Sequence, residues 1–160
     1  MNSNFNPLSA EELVSRINKI PRIRLAQLPT VLEYAPNISK ELNINLYIKR
    51  DDCTALAFGG NKTRHLEFIM AKTLSGEYDC ILTGAASQSN FCRQAVAAAN
   101  KLNLDSYLVL MHGVKGKLMQ GNFLLYNILG ANVDVVEGEN LEDIPKHLDK
   151  KYDELIKEGR

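Results

Sequence analysis

Lys62 follows two glycines and an asparagine in the segment Arg50-Asp51-Asp52-Cys53-Thr54-Ala55-Leu56-Ala57-Phe58-Gly59-Gly60-Asn61-Lys62-Thr63-Arg64. This segment joins a strand-like run to a helix-like one, so the lysine falls at a helix start. Glycine permits φ > 0 and close approach of the backbone to a ligand, while the positive helix end disfavours an ammonium. A neutral amine is what Schiff-base chemistry requires. A nucleotide-binding P-loop also ends in Lys-Ser/Thr at a helix start, but it places glycine directly before the lysine, where this chain has Asn61. A solvated lysine in a first helical turn is the other reading of Lys62. The second constellation is Thr83-Gly84-Ala85-Ala86-Ser87-Gln88-Ser89-Asn90, which follows an apolar strand and opens the next helix. Its backbone N–H groups and small side chains suit a carboxylate or phosphate. Ser89 is also of a type that caps helices, and the two roles are compatible.

These loops need elements to hold them. Ser9 with Glu12 forms a capping-box pattern ahead of Leu13 and Ile17, which predicts a short helix reaching Lys19 before Pro21. Residues 22–36 carry prolines and no sustained period, and a short helix at 38–42 leads into a strand-like run at 45–49. An alternation follows: helix 62–74, strand 80–83, helix 90–102, strand 107–111, helix 120–129, strand 133–136. The strand runs are continuously apolar, which predicts an α/β fold with a parallel sheet and helices on both faces. Gly76 and Gly130 stand just after helical runs, where a left-handed residue is expected. In the last segment Ile144, Leu148, Tyr152, Leu155 and Ile156 share a helical face that wants a surface to pack on, and the face of Leu148, Tyr152, Leu155 and Ile156 is expected to stay exposed in these 160 residues. An α/β unit ending on such a helix reads as one that more protein normally follows.

The chain has 160 residues, 45% of them hydrophobic, enough for at least one packed core. Nineteen basic residues balance nineteen acidic ones, which removes the simplest electrostatic case for nucleic acid or an anionic membrane as partner. Cys53, Cys80 and Cys92 show no C-x-x-C spacing, and His65, His112 and His147 form no H-E-x-x-H pair, so neither a disulfide framework nor a metal site is indicated. The opening residues lack a signal-peptide pattern and no apolar run reaches membrane-spanning length. A cytoplasmic protein with a small-molecule partner is the expectation.

Three ordered motifs carry a resemblance. Residues 49–67, with Gly59-Gly60-Asn61-Lys62-Thr63-Arg64, are similar to the cofactor-lysine segment of the 1-aminocyclopropane-1-carboxylate deaminase and D-cysteine desulfhydrase family of pyridoxal-phosphate enzymes. Gln88-Ser89-Asn90 with Arg93-Gln94 and an alanine-rich helix resembles the family's next motif, and Gln120-Gly121-Asn122 leading to Leu129-Gly130-Ala131 resembles a third.

That resemblance implies the small domain of a two-domain, fold type II enzyme plus part of the large domain: 1–50 an arm and the start of the large domain, 51–160 the small α/β domain. It implies that Lys62 joins pyridoxal phosphate as a Schiff base and moves protons at the substrate carbon. Asn90 is then expected to bond the cofactor's phenolic oxygen, Asn61 to line the cofactor, and Ser89 with the backbone of residues 88–90 to seat the substrate carboxylate. The implied substrate is a small amino acid, D-cysteine or 1-aminocyclopropane-1-carboxylate, and the full-length form is expected to be a homo-oligomer. The chain departs from the family at His65, where a second lysine is usual, and at Cys53 and Ala55, where leucine and glycine are usual. Family members run to about twice this length, as two packed domains do, with a glycine-rich phosphate loop, a partner for the pyridine nitrogen and an active-site tyrosine in the second half. A non-catalytic remnant or interaction module of the family is the alternative, and the 160 residues alone are expected to bind the cofactor weakly.

Overall fold

The computed structural model describes residues 7–112, 118–137 and 141–160. Helix α1 (Ala10–Ile17) starts on the expected capping box: the Ser9 hydroxyl accepts from Glu12 N–H at 3.2 Å and the Glu12 carboxylate accepts from Ser9 N–H at 2.9 Å. Strand β1 (Leu32–Tyr34), helix α2 (Pro36–Leu42) and strand β2 (Tyr47–Lys49) come next, and β1 pairs antiparallel with β2. Strand β1 lies where the sequence shows no period, because three residues are too few to display one and its partner is fifteen residues away in register.

The main sheet is parallel, in the order β3 (Cys80–Ala86), β4 (Asp105–Met111), β5 (Asn132–Val136). Helices α3 (Lys62–Ser75), α4 (Asn90–Lys101) and α5 (Gly121–Ile128) stand near the predicted runs. One sheet face presents Leu108 and Leu110, which pack with Val96 of α4 and Phe123 and Tyr126 of α5. Helix α6 (Ile144–Lys157) covers the opposite face, where a Cβ on Gly84 would lie 2.7 Å from Ile144 Cγ2. Helices therefore cover both faces, as expected. A second cluster joins α3 to α4 through Leu66, Met70, Ala95 and Ala98, and Leu25 enters it from the arm. Leu66 and Met70 are each 1% exposed, a burial worth roughly 1.5–3 kcal/mol apiece.

Three expectations are corrected. Strand β3 does not stop at Thr83; it pairs with β4 as far as Ala86↔Met111, so the loop before α4 is only residues 87–89. Gly84 is a strand glycine whose missing side chain makes room for α6 and for the Val109 carbonyl. After α3 the left-handed residue is Glu77 (φ 56), not Gly76 (φ −101), whereas Gly130 is left-handed as expected (φ 75). The apolar face of α6 is not left bare: Ile144 and Leu155 are buried on this chain's own sheet, and only Tyr152 and Ile156 remain more than half exposed.

Candidate active site

The lysine strap closes on Thr54, which is fully buried. Its hydroxyl donates to the Gly60 carbonyl at 2.8 Å and accepts from Gly60 N–H at 2.9 Å, while Gly60 N–H also faces the Asp51 carbonyl at 3.0 Å. Such a tight loop needs unusual backbone. Ala57, Phe58, Gly59 and Gly60 all have positive φ, and a side chain on Gly59 would lie 1.8 Å from the Asp52 carbonyl oxygen. Asp51 is pinned by Arg64 through two 2.7 Å hydrogen bonds, and the Arg64 guanidinium holds the Asp51 carboxyl below the ordinary carboxylate range.

The strap delivers Lys62 to the first residue of α3. The next residue is clamped: the Thr63 N–H and hydroxyl both donate to Gln94 Oε1 at 2.7 Å, inside the α3–α4 contact. Lys62 itself is half-buried, and its side-chain amine has no hydrogen bond or ion pair among the described residues. Asn61 is exposed and makes no side-chain bond to the helix it precedes. His65 is exposed one turn on.

The second loop sits at the carboxyl end of β3. Ser89 is the N-cap of α4, its hydroxyl accepting from Cys92 N–H at 3.3 Å. Its carbonyl accepts from the Tyr126 hydroxyl at 2.8 Å, and burial raises the Tyr126 pKa, which keeps that hydroxyl a neutral donor. Two amides of the loop are committed to the protein: Ser87 N–H to the Met111 carbonyl at 2.8 Å and Ser89 N–H to the Ala86 carbonyl at 2.9 Å. The Gln88 side chain is also committed, accepting from Asn122 N–H at 2.9 Å and donating to the Gln120 carbonyl at 3.1 Å. With Cys92 N–H capped by Ser89, the Asn90 and Phe91 amides are the ones at the start of α4 left without an intrahelical partner, as at any helix start.

Arg93 ties strap and loop together. Its Nη2 donates to the Gly59 carbonyl at 2.9 Å and its Nη1 to Asn122 Oδ1 at 3.0 Å, while Asn122 Nδ2 donates to Asn90 Oδ1 at 3.0 Å and to the Gln88 carbonyl at 2.7 Å. The starts of α3, α4 and α5 thus form one cluster. Sequence reading singled out Lys62, Asn61 and residues 88–90 but not the joining roles of Asn122, Arg93 and Tyr126. Asn122 and Arg93 lie in quoted motifs, so their positions were visible; Tyr126 carries no local signal. Two concavities lie away from this cluster, one of about 510 Å³ lined by Arg22, Arg24 and Gln27 and one of about 670 Å³ lined by Ile20, Phe68 and Tyr78. Among the described residues no helix is long and apolar enough to cross a membrane, and no cluster of three His, Cys, Asp or Glu side chains could hold a metal ion.

The chain as a whole resembles known proteins. The family model described as pyridoxal-phosphate dependent enzyme matches residues 23–159. A Pyrococcus horikoshii protein whose name proposes 1-aminocyclopropane-1-carboxylate deaminase activity is 38% identical over 150 residues, 93% of this chain and 45% of that protein. A D-cysteine desulfhydrase of Klebsiella pneumoniae is 39% identical over 128 residues, 78% of this chain and 39% of that protein. A crystal structure of an ACC deaminase homologue superposes with a TM-score of 0.87 at 36% identity, covering 95% of this chain and 46% of that one. The chain spans less than half the length of each of these relatives.

Proposed function

This chain belongs to the pyridoxal-phosphate dependent enzyme family, and from that premise we propose that it serves a deaminase or desulfhydrase acting on a small amino acid, D-cysteine or 1-aminocyclopropane-1-carboxylate. The products are ammonia and a 2-oxo acid, with sulfide as well from D-cysteine. The observation that carries the reading is Lys62: an unpaired, half-buried amine at the start of α3, tied through Arg93 to the loop that opens α4. The donor set fits the cofactor. A free amine suits its aldehyde, and the outward amides of α4 suit anionic oxygens.

Pyridoxal phosphate, when bound, supplies an electron-withdrawing ring conjugated with the substrate. Lys62 Nζ would tether the cofactor and would take and return a proton at the substrate carbon. Asn90 donates to the cofactor's ring oxygen and Asn61 lines its edge. Ser89 and the first-turn amides of α4 seat the substrate carboxylate. Because the Gln88 side chain already bridges to α5, Gln88 contributes its backbone and holds the loop in shape.

In the same reading, residues 51–160 are the small domain carrying the cofactor lysine, and residues 1–50 are an arm and the opening of the large domain. The second half that the relatives carry completes the site, and the full-length form assembles as a homo-oligomer in the cytoplasm. The test uses an extended form in which a relative's second half is joined after Arg160. Ammonia, 2-oxo acid and sulfide are assayed with D-cysteine and with 1-aminocyclopropane-1-carboxylate. One of the two is expected to be turned over, and Lys62→Ala to fall to background. Turnover that survives Lys62→Ala would refute the assignment.

A further inference from the structure

We propose that Asn122 is a positioning residue: it holds the Asn90 side-chain nitrogen outward, so that Asn90 can only donate toward the bound ligand and favours an ionised oxygen there. The inference rests on the functional reading above. Its basis is that Asn122 lies between two groups of fixed polarity. A guanidinium only donates and a carbonyl only accepts. Arg93 Nη1, 3.0 Å from one end of the Asn122 amide, therefore defines that end as oxygen. The Gln88 carbonyl, 2.7 Å from the other end, defines it as nitrogen.

That nitrogen also lies 3.0 Å from the Asn90 side chain, which must turn its oxygen inward to accept. The Asn90 NH2 is left exposed with no partner among the described residues. A donor aimed at a titratable oxygen favours its ionised form. The backbone fixes the arrangement further, since Asn122 N–H is held by Gln88 Oε1 at 2.9 Å and Arg93 reaches the Gly59 carbonyl of the lysine strap at 2.9 Å. One side chain on α5 thereby sets the polarity of a group on α4 and shares its anchor with the strap before Lys62.

Two variants reverse this polarity by different routes. Asn90→Asp keeps the bond from Asn122 and replaces the outward donor by an acceptor; Asn122→Asp keeps Arg93 and withdraws the donor that holds Asn90. In the ligand-free 160-residue chain, hydrogen exchange followed by NMR should show the Asn122 side-chain amide protected and that of Asn90 exchanging freely. The reverse pattern would overturn the inference. With pyridoxal phosphate and borohydride, each variant should lower labelling of Lys62 by about tenfold, the loss expected for a charge-assisted bond, with other lysines unchanged. The visible band of the bound cofactor should shift to its protonated form at higher pH in either variant, a change that loosened packing would not produce. Unchanged labelling and titration would also overturn the inference, leaving Lys62 in place. Indiscriminate labelling of the wild-type chain would instead sink the functional reading, with the exchange pattern still deciding how Asn90 is held.

Discussion

Ala55 is a strained residue of the strap. It sits at φ 71, ψ −36, the centre of a γ-turn in which Leu56 N–H reaches the Thr54 carbonyl at 3.0 Å. Left-handed backbone costs an L-residue roughly 1–2 kcal/mol, part of which glycine would return through the greater freedom it gives the unfolded chain. Ala55→Gly should therefore stabilise the protein by about 1 kcal/mol, a rise of roughly 2–4 °C in melting temperature for a chain of this size. A lower melting point would show that the Ala55 methyl packs better than the backbone argument allows. The sequence made this position visible only as a departure from the family's glycine; the sign of φ needed the structure. Lys62 and Ser89 were legible because a lysine after Gly-Gly-Asn and a serine before an alanine-rich helix are local patterns. The Asn122 hub was not, because its partners come from α4 and the loop before it, 29 to 34 residues away in sequence.

Glu67 is a buried side chain of α3 that helps to hold the arm. The Glu67 carboxylate, 0% exposed, accepts from Leu25 N–H at 3.0 Å, Ala26 N–H at 2.9 Å and Arg22 Nε at 2.7 Å. Burial alone would push its pKa up, but the two amides and the guanidinium outweigh burial and bring it below the ordinary 4.5. A depressed carboxylate stabilises the fold above its unfolded value, and that contribution is lost as pH falls through the folded one. Glu67→Gln should cost about 2 kcal/mol at pH 7, the scale of bonds to a charged group. The gap between variant and wild type should narrow as pH drops below 4.5. Thermal melts across that range check it, and a gap constant down to pH 3 would mean that the charge contributes nothing. Nothing in the sequence marks Glu67 as buried, since it lies in a charged stretch with Arg64 and His65. The helices, by contrast, were readable from period and caps. Strand β3 was cut short because Gly84 looks like a loop residue until α6 is seen lying on it.

At the scale of the molecule, the β1–β2 unit stands out by its uncovered apolar surface: Val31, Leu32, Ile44 and Tyr47 are each at least half exposed. An apolar surface of that kind normally meets a partner, and the relatives are about twice as long as this chain. Cofactor sites are concave and commonly lie between domains, and Lys62 lines neither the concavity of about 510 Å³ nor that of about 670 Å³. The 160 residues alone should therefore bind pyridoxal phosphate at least tenfold more weakly than the extended form, by roughly 1.4 kcal/mol or more, and should self-associate. Equilibrium dialysis and size-exclusion chromatography measure both, and tight binding by a monomer would contradict the expectation. The parallel sheet and its helical cover were legible as an alternation of apolar runs, but the packing of α6 was not, because a sequence shows that a helix has an apolar face without showing which surface receives it. Whether Lys62 is the cofactor lysine is decided by incubating the extended form with pyridoxal phosphate, reducing with borohydride and mapping the modified peptide. Modification confined to Lys62, and abolished in Lys62→Ala, is the predicted result; modification of another lysine with Lys62 untouched would contradict it.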